Sequence, residues 1–316
     1  VRVLIANASP ADQQFFLESL KTLPLSFLEK DAASIDESNS DTAEIEVVSV
    51  MHGNPFTAAD FERFPGLKLV STRSTGFDHI DLTAAKQRGV AVVNVPEYGS
   101  VTVAEFTMGL ILSVSRRIPQ AVSQSREGKF STDGLMGMDL SGKTLGIIGL
   151  GKIGRNVAKM AAAFDMNVIS HDPYKPGSVS INDLLSESDF VALCCPLTGE
   201  NHHLVNAEFL AGMRNSAFLI NTARGPLVDS AALLAALNDG QIAGAALDVL
   251  EGEEALRNGT AEPHRDANLA LMHHPRVLVT PHLAYDSVEA LQRIRACTAE
   301  TILAFSAGNL INSVTG

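Results

Sequence analysis

The sequence predicts an α/β protein built from two doubly wound parallel sheets, and three observations carry that prediction. Short apolar runs alternate with helical patterns along the 316 residues. The runs are continuous rather than alternating in polarity, as expected of parallel strands covered on both faces. Near residues 95–102 the segment VPEYGSVTVAEF leaves a strand, turns and opens a long helix. A chain of this length holds two domains of ordinary size, and that turn is the natural boundary.

In the first third the strand candidates are VRVLIA (1–6), IEVVSV (45–50), LKLVST (67–72) and VAVVNV (90–95). After the boundary they are TLGIIGL (144–150), NVISHD (167–172), FVALCCP (190–196), AFLINTA (217–223), GAALDVL (244–250) and RVLVTPH (276–282). Helical segments fall between them, among them RNVAKMAAAF (155–164) and SAALLAALNDG (230–240), the second closing on a glycine. Thr102 and Glu105 form a capping-box pattern at the start of the long helix. The stretch 31–44, DAASIDESNSDTAE, reads as loop or surface. The last helix, about 286–307, follows the final strand of the second sheet and is expected to return to the first domain. A discontinuous first domain, 1–97 plus 284–316, would then flank a second domain at 98–283. The cleft between them is the default active site.

Bulk properties narrow the function. The formal charge of −12 and the absence of a basic stripe argue against a nucleic-acid partner. No uncharged apolar run approaches the roughly 18 residues of a membrane span, so no membrane partner is expected. No secretory signal is visible, because residues 1–6 read as a strand. The first residue is Val, so residue 1 is not taken as the native start. The three cysteines, Cys194, Cys195 and Cys297, form no disulfide framework, and a reducing cytoplasm fits them best. The pairs His202–His203 and His273–His274 sit in polar surroundings and are expected to be exposed, and no metal site is assigned.

The strongest motif is GLGKIG, with Gly149, Gly151 and Gly154 in a G-x-G-x-x-G pattern. Alone the pattern is weak. Here it follows a strand, opens a helix and is answered by Asp172, 23 residues beyond Gly149 and past the next strand. Gly149 allows the tight turn, Gly151 lets backbone approach a pyrophosphate, and Gly154 lets helix and strand pack closely. The helix N-terminus offers N–H groups and a positive dipole to phosphates. Asp172 would accept hydrogen bonds from the adenosine ribose and repel a 2′-phosphate, so NAD is expected rather than NADP. The second domain is accordingly Rossmann-like, the first flavodoxin-like.

Three strand ends carry the remaining chemistry. Arg224 follows AFLINTA, just before a Gly225–Pro226 turn; Asp248, Glu251, Glu253 and Glu254 follow or end GAALDVL; His282 ends RVLVTPH. All lie after the carboxyl ends of consecutive runs, the edge that faces a bound dinucleotide. Hydride exchange with a secondary alcohol needs an acid/base on the oxygen, which histidine suits. A carboxylate behind it fixes the tautomer. A guanidinium grips an anionic group, a carboxylate or a phosphate, with two parallel hydrogen bonds.

These residues carry a resemblance over essentially the whole chain. In RSTGFDHIDL, VAVVNVPEYGSVTVAEF, GIIGLGKIG, LINTARGPLVD, ALDVLEGEE and VLVTPHLA the sequence resembles the D-isomer-specific 2-hydroxyacid dehydrogenase family. It is most similar to the D-lactate dehydrogenase-like members, which share Glu254 where other members often have Pro and a long insert like 252–274. The resemblance implies Arg224 as the substrate-binding arginine, Glu253 as the histidine's partner and His282 as proton donor and acceptor. It implies backbone N–H contacts from Ser74, Thr75 and Gly76 to the substrate carboxylate, and a place for Tyr98 in the active site. Lys152 and Ile153 would touch the pyrophosphate; Pro196, Thr222, Ala223 and Asp248 would line the adenosine and nicotinamide pockets. Domain 98–283 becomes the NAD-binding domain and 1–97 plus 284–316 the substrate domain.

The function expected is an NAD-dependent oxidoreductase acting on CH–OH donors, exchanging D-lactate and pyruvate or a similar small pair, as a cytoplasmic homodimer paired through the helix near 102–117. Two rivals stand beside it. One is a glyoxylate/hydroxypyruvate reductase. The other is an NADH-sensing binding protein, because transcriptional co-repressors resemble this family. The TRSTG loop and the absence of a regulatory domain after residue 316 count against a serine-pathway enzyme.

Overall fold

The computed structural model of the chain describes residues 1–32, 40–51, 55–259 and 263–315. Part of the loop expected at 31–44 lies outside them; its described end, Ser40–Glu44, is a short 3₁₀ turn. The chain divides into two compact units: Val1–Tyr98 with Ser287–Gly316, and Gly99–Asp286.

The first unit holds a five-stranded parallel sheet. Its strands are β1 (Arg2–Ile5), β2 (Leu25–Phe27), β3 (Ile45–Val50), β4 (Leu69–Thr72) and β5 (Ala91–Val93), in the order β2-β1-β3-β4-β5. Successive residues serve opposite faces. Leu4, Val48, Val70 and Val92 join one buried cluster with Phe56, Phe61 and Phe64. Val3, Ile5, Val47, Leu69 and Val93 join another with Phe16, Leu20 and Ile302. Both faces are apolar, which is why the runs read as continuous. β2 is missing from the sequence reading: three residues after Pro24 carry no period, and the strand forms by pairing Leu25 with Val3 at the sheet edge. Beyond β5, Val314 donates to Val92 O, so the chain's last residues lie along that edge.

The second unit holds six parallel strands: β6 (Thr144–Ile148), β7 (Asn167–His171), β8 (Phe190–Leu193), β9 (Phe218–Asn221), β10 (Gly244–Leu247) and β11 (Val277–Val279), in the order β11-β10-β9-β8-β6-β7. Counted from β6, this is order 2-1-3-4-5-6, doubly wound with its reversal between β6 and β8. Leu193, Leu219, Ala245 and Leu247 pack on one face; Leu145, Ile147, Ala192, Ile220 and Ala246 pack on the other.

Helix ends follow local chemistry where they are free to. Helix Ser230–Asn238 starts where the Asp229 carboxylate accepts from the N–H groups of Ala231 and Ala232, and stops before Gly240 at φ +70°. The long helix departs from its expected cap. It runs Ser100–Ser115 with Gly99 at the N-cap, so Thr102 lies inside its first turn. Burial overrides the local signal: Ala104, Thr107, Met108 and Ile111 press onto helix Lys152–Ala163 and strands β9 and β10, and the packed helix extends past the cap.

Candidate active site

The glycine turn leaves β6 and enters helix Lys152–Ala163 as its sequence requires. Gly149 has φ +94°, and a Cβ there would stand 2.7 Å from the Cys195 backbone at the end of β8. A Cβ on Gly154 would strike the Gly149 carbonyl oxygen. At Gly151, the N-cap, a Cβ would meet nothing within 4 Å, so this glycine keeps open the space where backbone can meet a phosphate. Lys152 and Ile153 begin the helix, whose first N–H groups have no partner within it. Asp172 lies one residue past β7, and its carboxylate accepts from Leu150 N at 2.8 Å and Tyr174 N at 3.0 Å. The bond from Leu150 holds Asp172 below the usual carboxylate range, outweighing burial, with Tyr174 and Lys175 helping. The acid is therefore anionic at neutral pH. These residues fit the diphosphate and ribose of NAD.

Cys194 and Cys195 lie beside this turn. Burial pushes their thiols up to about 12 and about 11, so neither is a nucleophile at neutral pH. Pro196 follows, its carbonyl accepting from Asn201 Nδ2 at 2.8 Å. Thr222 is buried and shares a 2.8 Å hydroxyl–hydroxyl hydrogen bond with Thr107.

Arg224 stands three residues past β9. Asn221, buried at the strand's end, shapes the turn: its Nδ2 donates to Arg224 O at 2.9 Å and its Oδ1 accepts from Ala223 N at 3.0 Å. Arg224 Nη1 donates to Ala223 O at 2.8 Å. Gly225 then lies flat against the loop after β10, where a Cβ would collide with the Leu250 carbonyl and come within 2.5 Å of Glu251 N. The turn bearing Arg224 and the loop bearing the acids thus touch backbone to backbone.

The loop after β10 splits its acids. Glu253 Oε1 lies 2.5 Å from His282 Nδ1, and its Oε2 accepts from Leu250 N at 3.1 Å. Glu251 turns away, to His203 at 2.7 Å and His202 at 3.2 Å. His203 and His264 are half-buried, so the expected exposure holds for His202 but not for its neighbour. Asp248, fully buried, has a role the sequence reading missed. Its carboxylate accepts from Thr280 Oγ1 at 2.6 Å, Leu283 N at 2.9 Å and Ala284 N at 2.9 Å, and its carbonyl accepts from His282 N at 2.8 Å. This clamp holds His282 at φ +57°, a left-handed conformation that costs a non-glycine residue about 1 kcal/mol or more. The signal was Thr280 and Asp248, each one residue past a strand.

In the other unit, Ser74, Thr75 and Gly76 follow β4 and Arg73. Ser74 Oγ donates to Gly76 O at 2.6 Å, Thr75 Oγ1 to Val95 O at 2.8 Å and Asn94 Nδ2 to Thr75 O at 2.7 Å. Hydroxyls and carbonyls are consumed in fixing the loop. The Tyr98 carbonyl accepts from Arg293 Nε at 2.8 Å.

Residues 108–284 match the family model described as D-isomer specific 2-hydroxyacid dehydrogenase, NAD binding domain. The chain belongs to that family. This dehydrogenase is 41% identical over 257 residues to 2-hydroxyacid dehydrogenase homolog 1 of Schizosaccharomyces pombe, covering 77% of each chain. It is 40% identical over 260 residues to a glyoxylate reductase of Thermofilum pendens, covering 78% of this chain and 74% of that one. Among solved structures it superposes on D-lactate dehydrogenase from Aquifex aeolicus, complexed with NAD and lactic acid, with a TM-score of 0.92, 37% identity and 99% of each chain covered. The dehydrogenase is an NAD-dependent oxidoreductase acting on CH–OH donors, and two parallel-sheet α/β domains are its family's fold.

Proposed function

We propose that this dehydrogenase reduces a small 2-oxo acid to the D-2-hydroxy acid, with pyruvate and D-lactate as the leading pair. The observation that carries the reading is the 2.5 Å contact between His282 Nδ1 and Glu253, on the sheet edge where the glycine turn opens. Glu253 takes the Nδ1 side of the ring, and Nε2 is the nitrogen assigned to the substrate. Arg224 binds the substrate carboxylate and polarises the adjacent carbonyl. NADH, when bound, would supply the hydride for the carbonyl carbon. His282 Nε2 gives its proton to the carbonyl oxygen in the same step, the alcohol leaves with that proton, and solvent reprotonates the ring. Glu253 holds the ring's orientation throughout.

Likeness to a lactate-bound D-lactate dehydrogenase supports pyruvate as the substrate; similarity to a glyoxylate reductase and to a hydroxypyruvate reductase of Thermotoga maritima puts both of their substrates in the test. Ser74, Thr75, Gly76 and Tyr98 as substrate contacts, the assignment of the first unit to substrate and the second to NAD, a homodimer and a cytoplasmic location belong to the same reading, on the family resemblance alone.

The experiment is steady-state NADH oxidation with pyruvate, glyoxylate and hydroxypyruvate, in the unmodified chain and in His282→Ala. Pyruvate should give the highest kcat/KM. His282→Ala should lose about 10²–10⁴-fold in turnover while binding NADH normally. Near-normal turnover in that variant removes His282 from the mechanism. No turnover with any 2-oxo acid turns the reading towards an NADH-sensing binding protein.

A further inference from the structure

We propose that His202, His203 and Glu251 form a binding site for a divalent transition-metal ion of the zinc class. One ligand atom from each of His202, His203 and Glu251 lies within 4.8 Å of the others. His202 Nε2 is 3.2 Å from Glu251 Oε1, and His203 Nε2 is 2.7 Å from Oε2. His264 Nδ1 is 3.3 Å from Oε2. A tetrahedral ion with bonds of about 2.1 Å holds neighbouring donors about 3.4 Å apart. The ring nitrogens and the carboxylate therefore stand near ligand spacing already, and small side-chain rotations would admit the ion.

Charge points the same way. Glu251 is only 7% exposed, yet among the described residues its ion-pair partners are the three histidines. A divalent ion held by the imidazole nitrogens would bring a fixed positive charge to this buried carboxylate. Two imidazoles with a carboxylate suit zinc, and nickel or copper by the same donor chemistry.

The cluster is also built, not accidental. Adjacent side chains ordinarily diverge; His203 takes φ +52°, and the two rings converge to 4.1 Å between centroids. Asn201 braces the turn from within, its Oδ1 accepting from Thr198 N at 2.7 Å. His203 N donates to Pro226 O at 2.9 Å, and Val205 pairs with Val228, which ties the turn to the segment after Arg224. On the facing side Asn268 Nδ2 donates to Glu251 O at 2.6 Å and is itself held by Ser230 at 2.8 Å. All these residues belong to the Gly99–Asp286 unit. An ion here would lock the 202–203 turn to the loop that carries Glu253, two residues further on.

The test is calorimetric titration of the metal-stripped full chain with Zn²⁺, and visible absorption of its Co²⁺ form. One equivalent of Zn²⁺ should bind, with tetrahedral-type Co²⁺ bands. His202→Asn, at a side chain 51% exposed and so tolerant of change, should weaken Zn²⁺ by about tenfold or more. His203→Asn and Glu251→Gln should do the same wherever they fold, and His202→Asn decides alone if they do not. A His273→Ala/His274→Ala variant should bind as the unmodified chain does. No binding by the unmodified chain overturns the proposal, as does equal affinity in His202→Asn or an octahedral Co²⁺ spectrum.

Discussion

A guanidinium offers two parallel N–H donors in a fixed plane; an ammonium offers a point charge on a flexible stem. That difference makes Arg224→Lys the sharpest test of the proposed carboxylate contact. The turn is held by Asn221 and by the close approach of Gly225 to Leu250, so the substitution should leave the fold and NADH affinity intact. Substrate binding and turnover should fall together. The loss should exceed the roughly 1.5–3 kcal/mol of one hydrogen bond to a charged group, because a misplaced carbonyl also loses its alignment with His282. Kinetics with pyruvate and with a neutral carbonyl analogue lacking the carboxylate measure this directly. The preference for the acid should shrink sharply in the lysine variant. An unchanged preference would leave Arg224 as a strand-end brace and give the carboxylate to another cation.

Among elements, helix Pro10–Ser19, the end of β4 and helix Val288–Ser306 meet on one acid. Asp12 Oδ1 accepts from Arg295 Nε at 2.7 Å, and Asp12 Oδ2 lies 3.7 Å from Arg73 Nη1. Arg73 is 2% exposed and also donates to the Ala6 carbonyl. Burial lowers its pKa to about 10, with Asp12 opposing and Arg295 adding to the fall, so it remains a cation at neutral pH. Burial raises the Asp12 pKa, but hydrogen bonds from Ser9 and Arg295 and the charge of Arg73 bring it below the ordinary value. Removing the acid strands a buried cation, and Asp12→Ala should destabilise the chain by about 3 kcal/mol in urea unfolding at pH 7. A carboxyl whose folded pKa is depressed stabilises the fold fully above its unfolded pKa, near 4, and loses that contribution as pH falls through the folded value. The gap between the two proteins should therefore be complete at pH 7 and close in strong acid. A gap independent of pH would mean that Asp12 acts through packing.

At the scale of the whole molecule, each unit carries its own apolar clusters, Leu4, Val48 and Phe61 among the residues of the first and Leu193, Leu219 and Leu247 among those of the second. Residues 108–284, inside the second unit, match the family's NAD-binding domain. A ligand that binds only the native state at 100 times its Kd stabilises by about 2.7 kcal/mol. In a unit of this size that is about 5–10 °C of Tm. Scanning calorimetry with saturating NADH should move the transition of residues 99–286 upward by that amount and the other unit's by less. Equal movement of every transition would mean that the units unfold as one cooperative block.

What the sequence determined by itself is whatever short stretches of chain encode. Among the described residues, ten of the eleven strands are apolar runs of a few residues, read directly because both faces of each sheet are covered. The glycine turn and its acid lie within about 25 residues, and each glycine's task follows from its own backbone. Arg224, His282 and the group of acids after GAALDVL could be singled out because each follows the end of a run, and parallel strands deliver those ends to one edge; Glu253 is picked from that group by the family resemblance. What tertiary structure decided concerns partners distant in the chain. Which of Glu251, Glu253 and Glu254 faces His282 depends on a turn at Gly252, φ +65°, and on where β11 lies beside β10. The clamp of Asp248 on residues 280–284, the meeting of Asp12 with Arg73 and Arg295, and the convergence of His202 and His203 on Glu251 each join residues dozens to hundreds of positions apart. Strand β2 and the early start of helix Ser100–Ser115 follow the same rule: local propensity is weak beside the burial and pairing that a neighbouring element imposes once the sheets have formed.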